Sequence, residues 1–486
     1  MHGDRESEGA RGSPAPNATG VSADRVYRWL VPRILTPLGE RLRHPRWTTV
    51  RDLAALQWQA PDELERRAVS QLRVLLDHAS RHVPHYRDFL AGAGVARPEV
   101  QGLADLARIP VSTKADLRAG FPARTIADNI PADRRQPMMT SGSTGRPFEF
   151  YWDRAALPGL GGTDWFWLQW AGTAPWHTRV VIASPAYFYD RVTPPRRWRQ
   201  ALNHLILGER TERLPADRLS TADLRRLVER ITTRGPYFIR GYPGALTRLA
   251  ARLTDEGGPL ASNPRVVVTF AETLTPAAAE LIGRAFRSPV VNYYSCWEVP
   301  QIAQSCPDNP GTLHVNSERV IVRVVRPDGR DASPGEVGRV VLTDLANFVM
   351  PFINYAPGDN AVFGERCPCG RGLPTLTRIE GRDSEVIRTP QGREISGVML
   401  GQFLAFVVGI IPYVWEYQAV LTGPATVSLR IVPTSEFDQK FQTSLETALR
   451  EFLGPDMAVT VEPVSAIPLE PSGKRLIIRS LPGPRS

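Results

Sequence analysis

The chain has 486 residues, 42% of them hydrophobic, with four cysteines and a formal net charge of +9. That length predicts two or three domains with substantial cores, and this composition excludes a disulfide scaffold, a fibrous chain and a largely disordered one. The arginines are spread rather than clustered, so the charge predicts a solvated surface that attracts nucleotide phosphates, with no nucleic-acid partner; a basic nucleic-acid-binding protein stays as the weaker alternative.

Residues 1–23, rich in Gly, Ser, Pro, Ala and charge, read as a disordered tail. They hold no basic start followed by an apolar core, and Phe403 to Trp415, the longest apolar stretch, is shorter than the roughly 20 residues of a membrane span. A cytoplasmic protein with no membrane partner is expected. Leucines and valines at helical spacing over Gln71–Leu90 predict a helix that breaks at Pro84. His78, His82 and His85 fall in this stretch, and Pro84 interrupts any helix face they would need to share as metal ligands.

The loop Thr140-Ser141-Gly142-Ser143-Thr144-Gly145-Arg146-Pro147 offers short hydroxyl donors and two glycines that let backbone N–H groups approach an anion closely. It lacks the Walker A spacing, and such strings also occur as ordinary turns. Trp165, Phe166, Trp167, Trp170, Tyr187, Phe188 and Tyr189 follow, fitting either an apolar substrate pocket or plain core.

From about 136 to 380, β-rich runs alternate with helical periodicity. Arg179–Ile182, Tyr237–Ile239, Val266–Phe270 and Pro289–Tyr294 read as strands, and Leu219–Thr232, Ala245–Asp255 and Pro276–Phe286 as helices. This alternation predicts an α/β fold with a largely parallel sheet and a ligand cleft beyond its strand ends. Asn292-Tyr293-Tyr294-Ser295-Cys296-Trp297-Glu298 delivers aromatic rings and one carboxylate at such an end. That set suits a purine and Mg²⁺, or a core tyrosine pair with a solvated glutamate. Cys306, His314, Cys367 and Cys369 form a Cys₃His set suited to structural zinc, or remain free thiols. Val320–Val325 and Arg339–Thr343 read as strands of a smaller β subdomain.

Tyr355-Ala356-Pro357-Gly358-Asp359 presents a carboxylate from a constrained turn, suited to two ribose hydroxyls or to nothing beyond the turn itself. Gly381-Arg382-Asp383-Ser384-Glu385 lies where the composition shifts, as a hinge or an inert linker. Beyond it, Val427–Val432 and Met457–Val461 read as strands around an amphipathic helix, Ser435–Leu453, capped by Thr434 or Ser435. Pro471-Ser472-Gly473-Lys474 closes this α+β unit. Only three of the 59 basic residues are lysine (Lys114, Lys440 and Lys474), which singles out a lysine on a Gly-flanked turn.

In that order, phosphate loop, aromatics plus Glu, Tyr-x-x-Gly-Asp, Gly-Arg hinge and terminal Gly-Lys, the motifs resemble the adenylate-forming ligase superfamily. His78–Arg87 and Ile109–Leu117 are similar to N-terminal signatures of its phenylacetate–CoA ligase branch. The resemblance spans about residues 70–480. It implies an α/β adenylation domain over 24–381, including a β subdomain at about 310–380, and a small mobile α+β lid domain over 382–486. It further implies activation of a carboxylic acid by ATP and Mg²⁺ to an acyl-AMP with pyrophosphate release, then acyl transfer to CoA or a carrier thiol. Thr140, Ser141, Gly142, Ser143, Thr144, Gly145 and Arg146 would line the phosphates. Ala271, Glu272 and Tyr293 or Tyr294 would frame adenine, Glu298 would bind Mg²⁺, and Asp359 and Arg382 would hold ribose. Lys474 would bridge the carboxylate and α-phosphate oxygens, and the branch carries a comparable Cys/His arrangement for zinc. Three positions depart from the pattern: Arg146 replaces lysine, Trp297 replaces Ser or Thr, and Ser384 replaces Asp or Lys. These leave an amine acceptor, or a catalytically silent nucleotide-binding scaffold, as alternatives.

Overall fold

The computed structural model describes residues 23–92, 100–140, 148–183, 209–216, 219–233, 235–382, 386–392, 394–396, 400, 403–410, 412–468 and 476–480. Helix α1 (Pro61–His82) opens on a proline with Asp62 and Glu63 in its first turn and closes on Arg81 and His82, a charge order that suits the helix dipole. Leu64, Ala68, Leu72, Leu75, Leu76 and Ala79 form its buried face. Val83 is extended, and α2 (Pro84–Gly92) begins at the expected break. The three histidines are structural. His78 Nε2 lies 2.9 Å from the Phe348 carbonyl, His82 Nδ1 lies 3.0 Å from Asp128, and His85 stacks on Phe89.

β1 (Ser112–Thr113) leads into α3 (Lys114–Gly120). β2 (Arg135–Thr140) and β3 (Phe148–Asp153) pair antiparallel as far as Thr140 opposite Phe148. Helix α4 (Leu157–Trp170) carries the expected aromatic group into the interior: Trp165, Phe166 and Trp167 are buried, and Trp170 packs against the same core. Of the two sequence readings, plain core holds for these residues; Tyr187, Phe188 and Tyr189 lie outside the described residues.

The alternating pattern then produces β4 (Thr178–Ala183), β5 (Arg210–Pro215), α5 (Thr221–Thr232), β6 (Tyr237–Gly241), α6 (Pro243–Glu256), β7 (Val267–Phe270), α7 (Pro276–Phe286) and β8 (Val290–Tyr294). The strands are parallel, in spatial order β5-β4-β6-β7-β8. All four residues of β7 are buried, as expected of a strand covered on both faces.

At β8 the sheet changes character. β9 (Ala303–Ser305) pairs antiparallel with β8, setting Tyr293 opposite Gln304 and Tyr294 opposite Ala303. β10 (Leu313–Val315), β11 (Val320–Val325), β12 (Val337–Asp344), β13 (Tyr355–Ala356), β14 (Asp359–Phe363) and β15 (Thr375–Arg382) continue the same hydrogen-bonded sheet. The β-rich stretch is therefore joined to the parallel strands rather than set apart. β1 returns to pair in parallel with β13, Ser112 opposite Tyr355 and Thr113 opposite Ala356.

After the short pair β16 (Val386–Arg388) and β17 (Glu394–Ser396), a second core forms on β18 (Val414–Gly423), β19 (Thr426–Pro433), helix α8 (Gln439–Leu453), β20 (Ala458–Pro463) and β21 (Ile478–Ser480), with sheet order β20-β19-β18-β21. α8 starts later than the sequence suggests. Thr434 Oγ1 is spent on the Pro412 carbonyl at 2.8 Å, and Asp438 caps the helix by accepting from the Phe441 N–H at 2.7 Å. Phe437 thus precedes the helix and meets Phe441 edge to face. The two cores touch through Arg248 of α6, whose Nε lies 3.0 Å from Glu416 of β18. Among the described residues no helix is long and apolar enough to cross a membrane.

Candidate active site

A largely apolar cavity opens beyond the carboxyl ends of β6, β7 and β8, where a parallel sheet places its ligands. Ala271, Glu272, Tyr293, Tyr294 and Asp359 all line it, as do Trp415 and Tyr417 of β18 and Leu476 and Ile477 before β21. Each arrives there for a local reason. Ala271 follows the last residue of β7 at φ 69, a left-handed conformation that turns the chain away from the sheet at once. Glu272 follows and accepts from the Gly244 N–H at 2.9 Å, so its carboxylate faces the positive end of α6. Alternation along β8 sends neighbouring tyrosines to opposite faces. Tyr293 packs edge-on against Trp167, with the Arg240 guanidinium 4.5 Å from its ring centre. Tyr294 donates its hydroxyl to Asp359 Oδ2 at 2.9 Å.

Strand register joins the two residues expected at ribose: Asp359 of β14 lies directly opposite Arg382 of β15. This pairing fixes their backbones side by side although 23 positions separate them in sequence.

Glu298 lies beside this group, almost fully buried. Lys114 Nζ lies 2.9 Å from its Oε1, and the Tyr355 hydroxyl donates to the same oxygen at 2.8 Å. Burial opposes ionisation of Glu298, but the Lys114 ammonium and the Tyr355 hydroxyl more than offset it, so its pKa is lowered and the group is a carboxylate. Burial, then the charge of Glu298, pushes the Tyr355 phenol well above its usual range, so it stays a donor. Cys296 is a half-buried thiol whose pKa is raised by the same two causes, and its sulfur donates to the Val299 carbonyl at 3.4 Å. Motif reading assigned no role to Lys114 or Tyr355, the two partners that the structure gives Glu298. The signal available for Lys114 was the scarcity of lysine; for Tyr355 only the strand pairing reveals the contact.

Ser141, Gly142, Ser143, Thr144, Gly145 and Arg146 lie outside the described residues, as does Lys474. Their described neighbours border the site. Trp152 of β3 donates to the Trp297 carbonyl at 3.0 Å, and Phe148, the first residue after the loop, has Lys114 Nζ 5.6 Å from its ring centre. Leu476, two positions beyond Lys474, lines the cavity, and its carbonyl accepts from Gln418 Nε2 at 2.9 Å. Thr140 ends β2 at the edge of the loop.

A second cluster stands apart. The ligand atoms of Cys306, His314, Cys367 and Cys369 all lie within 4.8 Å of one another. Cys306 and Cys367 sulfurs are 3.9 Å apart, and Cys369 Sγ lies 3.3 Å from His314 Nε2. A tetrahedron of bonds near 2.3 Å has edges of about 3.8 Å, so the set has the dimensions of a zinc site. Burial lowers the His314 pKa to about 4, giving the neutral imidazole a metal requires. None of the four cysteines in the chain is in a disulfide.

No protein-family model matches the chain. It is 25% identical to a phenylacetate-coenzyme A ligase of Thermus thermophilus over 375 residues, covering 75% of this chain and 80% of that protein. It is 26% identical to the phenylacetate-coenzyme A ligase of Escherichia coli over 344 residues, covering 69% of this chain and 75% of that one. Among solved structures, a 2-hydroxyisobutyryl-CoA ligase in its postadenylation state, bound to an acyl-AMP, superposes with a TM-score of 0.70 at 20% identity, covering 87% of this chain and 91% of that one. The motif order, the parallel sheet with its terminal cavity and these likenesses agree: the chain is similar to phenylacetate–CoA ligases over 69–75% of its length and shares the fold of a solved acyl-CoA ligase.

Proposed function

We propose that the chain activates a carboxylic acid with ATP, forming an acyl-AMP and releasing pyrophosphate, and then passes the acyl group to the thiol of coenzyme A. The observation that carries this reading is the convergence of Ala271, Glu272, Tyr293, Tyr294 and Asp359 with Leu476 and Ile477 on one cavity. The relatives act, by name, on phenylacetate, which supports an aromatic or otherwise apolar acid.

The chemistry explains the scarcity of acid–base groups. A carboxylic acid with a pKa near 4–5 is ionised at neutral pH, and its oxygen attacks the α-phosphorus without a general base. The obstacle is repulsion between anions, so the residues needed are cations and positioned N–H donors. Ala271, Glu272 and Tyr293 or Tyr294 frame the base, and Asp359 with Arg382 takes the ribose hydroxyls. Thr140 to Arg146 wrap the outer phosphates, and Lys474 reaches the α-phosphate. Mg²⁺ accompanying the nucleotide, with Glu298 as its protein ligand, supplies further charge neutralisation when bound. The donor fits this hard cation: Glu298 is an ionised carboxylate, and the Lys114 and Tyr355 bonds both fall on Oε1 rather than Oε2. The unit from 382 onward then rotates about Gly381–Glu385, withdrawing Lys474 and admitting the thiol.

Two assays test the sequence of steps. With hydroxylamine as trapping nucleophile, a panel of acids is expected to give hydroxamates only from those that also drive pyrophosphate release. With the best acid, CoA is expected to give a thioester faster than amines give amides; efficient amide formation without a thioester would assign the amine alternative instead.

The Cys₃His cluster is proposed to hold structural zinc, since closed sets of thiolates and imidazole bind zinc for stability rather than catalysis. Elemental analysis of chelator-washed protein is expected to return about one zinc per chain. Cys367→Ser is expected to lose that zinc and to lower the melting temperature by several degrees. A metal-free protein of undiminished stability removes the zinc assignment and leaves the acid activation untouched.

A further inference from the structure

We propose that Lys114 reserves Glu298 for a divalent cation that arrives with the nucleotide, by holding the carboxylate as a neutral ion pair until then. This rests on the reading of Glu298 as the metal carboxylate.

Lys114 is fixed in place by its surroundings. β1 and β13 pair in parallel, so the residue after Thr113 emerges beside the Tyr355–Asp359 turn. Thr113 and Asp116 then form a reciprocal cap: Thr113 Oγ1 accepts from the Asp116 N–H at 3.3 Å, and Asp116 Oδ2 accepts from the Thr113 N–H at 2.8 Å. Lys114 is therefore the first residue of a capped helix, with little backbone freedom.

Its ammonium is placed where three motifs meet: at Glu298 Oε1, beside the Tyr355 hydroxyl on the same oxygen, and near the ring of Phe148 at the exit of the phosphate loop. The pair is asymmetric. The Lys114 side chain is 29% exposed and that of Glu298 4%. The lysine has a solvated route along which to withdraw, whereas the carboxylate has none.

An isolated ionised carboxylate near Asp359 would attract divalent cations by itself. With the ammonium 2.9 Å away its charge is cancelled, and a second cation at Oε2 is repelled by the first. Mg²⁺ sheds water reluctantly and is usually held by one or two carboxylates plus substrate phosphates. A neutralised Glu298 therefore takes the metal only when triphosphate oxygens complete its coordination and draw Lys114 away. The lysine acts as a positioning residue that orders the encounter, nucleotide and metal together. A flexible stem with a point charge suits this role better than a guanidinium fork, in a chain that otherwise prefers arginine.

Mn²⁺ serves as the probe, counted by loss of its free electron paramagnetic resonance signal on adding the full chain at roughly pH 8, where carboxylates are ionised. Wild type is expected to bind Mn²⁺ at this site only when ATP is present. Lys114→Met is expected to gain a site without nucleotide, at least about tenfold tighter than any in wild type, and the added Glu298→Gln change is expected to remove it. Lys114→Arg, which keeps the charge, should likewise show no nucleotide-free site. Lys114→Gln repeats the test if the methionine variant does not fold. A folded Lys114 variant with no nucleotide-free site overturns the proposal, as does a wild-type chain with a tight Glu298-dependent site before ATP is added. The Glu298 reading fails separately, if ATP creates no Mn²⁺ site in wild type that Glu298→Gln removes.

Discussion

Replacing Lys474 by alanine is expected to slow acyl-AMP formation by ~10²–10³-fold, the usual cost of losing one preorganised contact to a developing oxyanion, equivalent to about 3–4 kcal/mol of barrier. In the proposed mechanism two anions meet at the α-phosphorus, and a mobile ammonium there interacts with oxygens of both reactants. Its contribution is greatest in the transition state, when charge spreads over the phosphorus oxygens, so the loss should fall on kcat more than on the KM for ATP. Ala419 of β18 donates to the Ile477 carbonyl at 2.8 Å, three positions from Lys474, so the described chain just beyond the lysine is anchored at the cavity wall. A second readout separates chemistry from folding. Transfer from preformed acyl-AMP to CoA should be nearly unaffected, because the proposed rotation withdraws Lys474 in that step. Pyrophosphate release at the wild-type rate would remove Lys474 from the mechanism.

Glu298→Gln is the second large effect expected: a ~10²–10³-fold loss of acid-dependent pyrophosphate release, with half-saturating Mg²⁺ rising in parallel. Glutamine keeps the volume and still accepts from Lys114 and Tyr355, so the substitution removes charge more than packing. Glu298→Ala is harsher. It empties a buried site and leaves the Tyr355 hydroxyl, held by burial above its usual pKa, without its acceptor. Melting curves distinguish the two variants: the glutamine form should stay close to wild type while losing activity. An active glutamine variant with an unchanged Mg²⁺ requirement would show that Glu298 is a structural anchor for Lys114 and nothing more.

The sequence carried the parts of this site that depend on local chemistry. Residues 271, 272, 293, 294 and 359 sit in motifs whose turn or strand-end character is visible in the text, and all reach one cavity. The Cys₃His set was legible because thiols are so few that any grouping is informative. Contacts set by long-range pairing were not legible. The register of Asp359 with Arg382, the return of β1 to β13 and the Lys114–Glu298–Tyr355 triad follow from how one sheet closes, and no spacing encodes them.

The aromatic group on α4 fitted two readings in sequence, an apolar pocket or plain core, and only packing separates them: helix α4 lies between the parallel sheet and the segments before it, so burial alone accounts for Trp165, Phe166 and Trp167. The start of α8 was misplaced for a simpler reason: Thr434, Ser435 and Asp438 are all able to cap, and the hydrogen bond from Thr434 to Pro412 decides among them.

One labelling experiment reaches the centre of the account. When an acid carrying ¹⁸O in its carboxylate is converted to its thioester, one labelled oxygen should leave in AMP for each turnover, because that oxygen forms the bond to the α-phosphorus and stays there when the thiol displaces the nucleotide. Mass spectrometry of the released AMP reads this directly. Unlabelled AMP, or label in inorganic phosphate with ADP as the other product, would contradict activation through an acyl-adenylate.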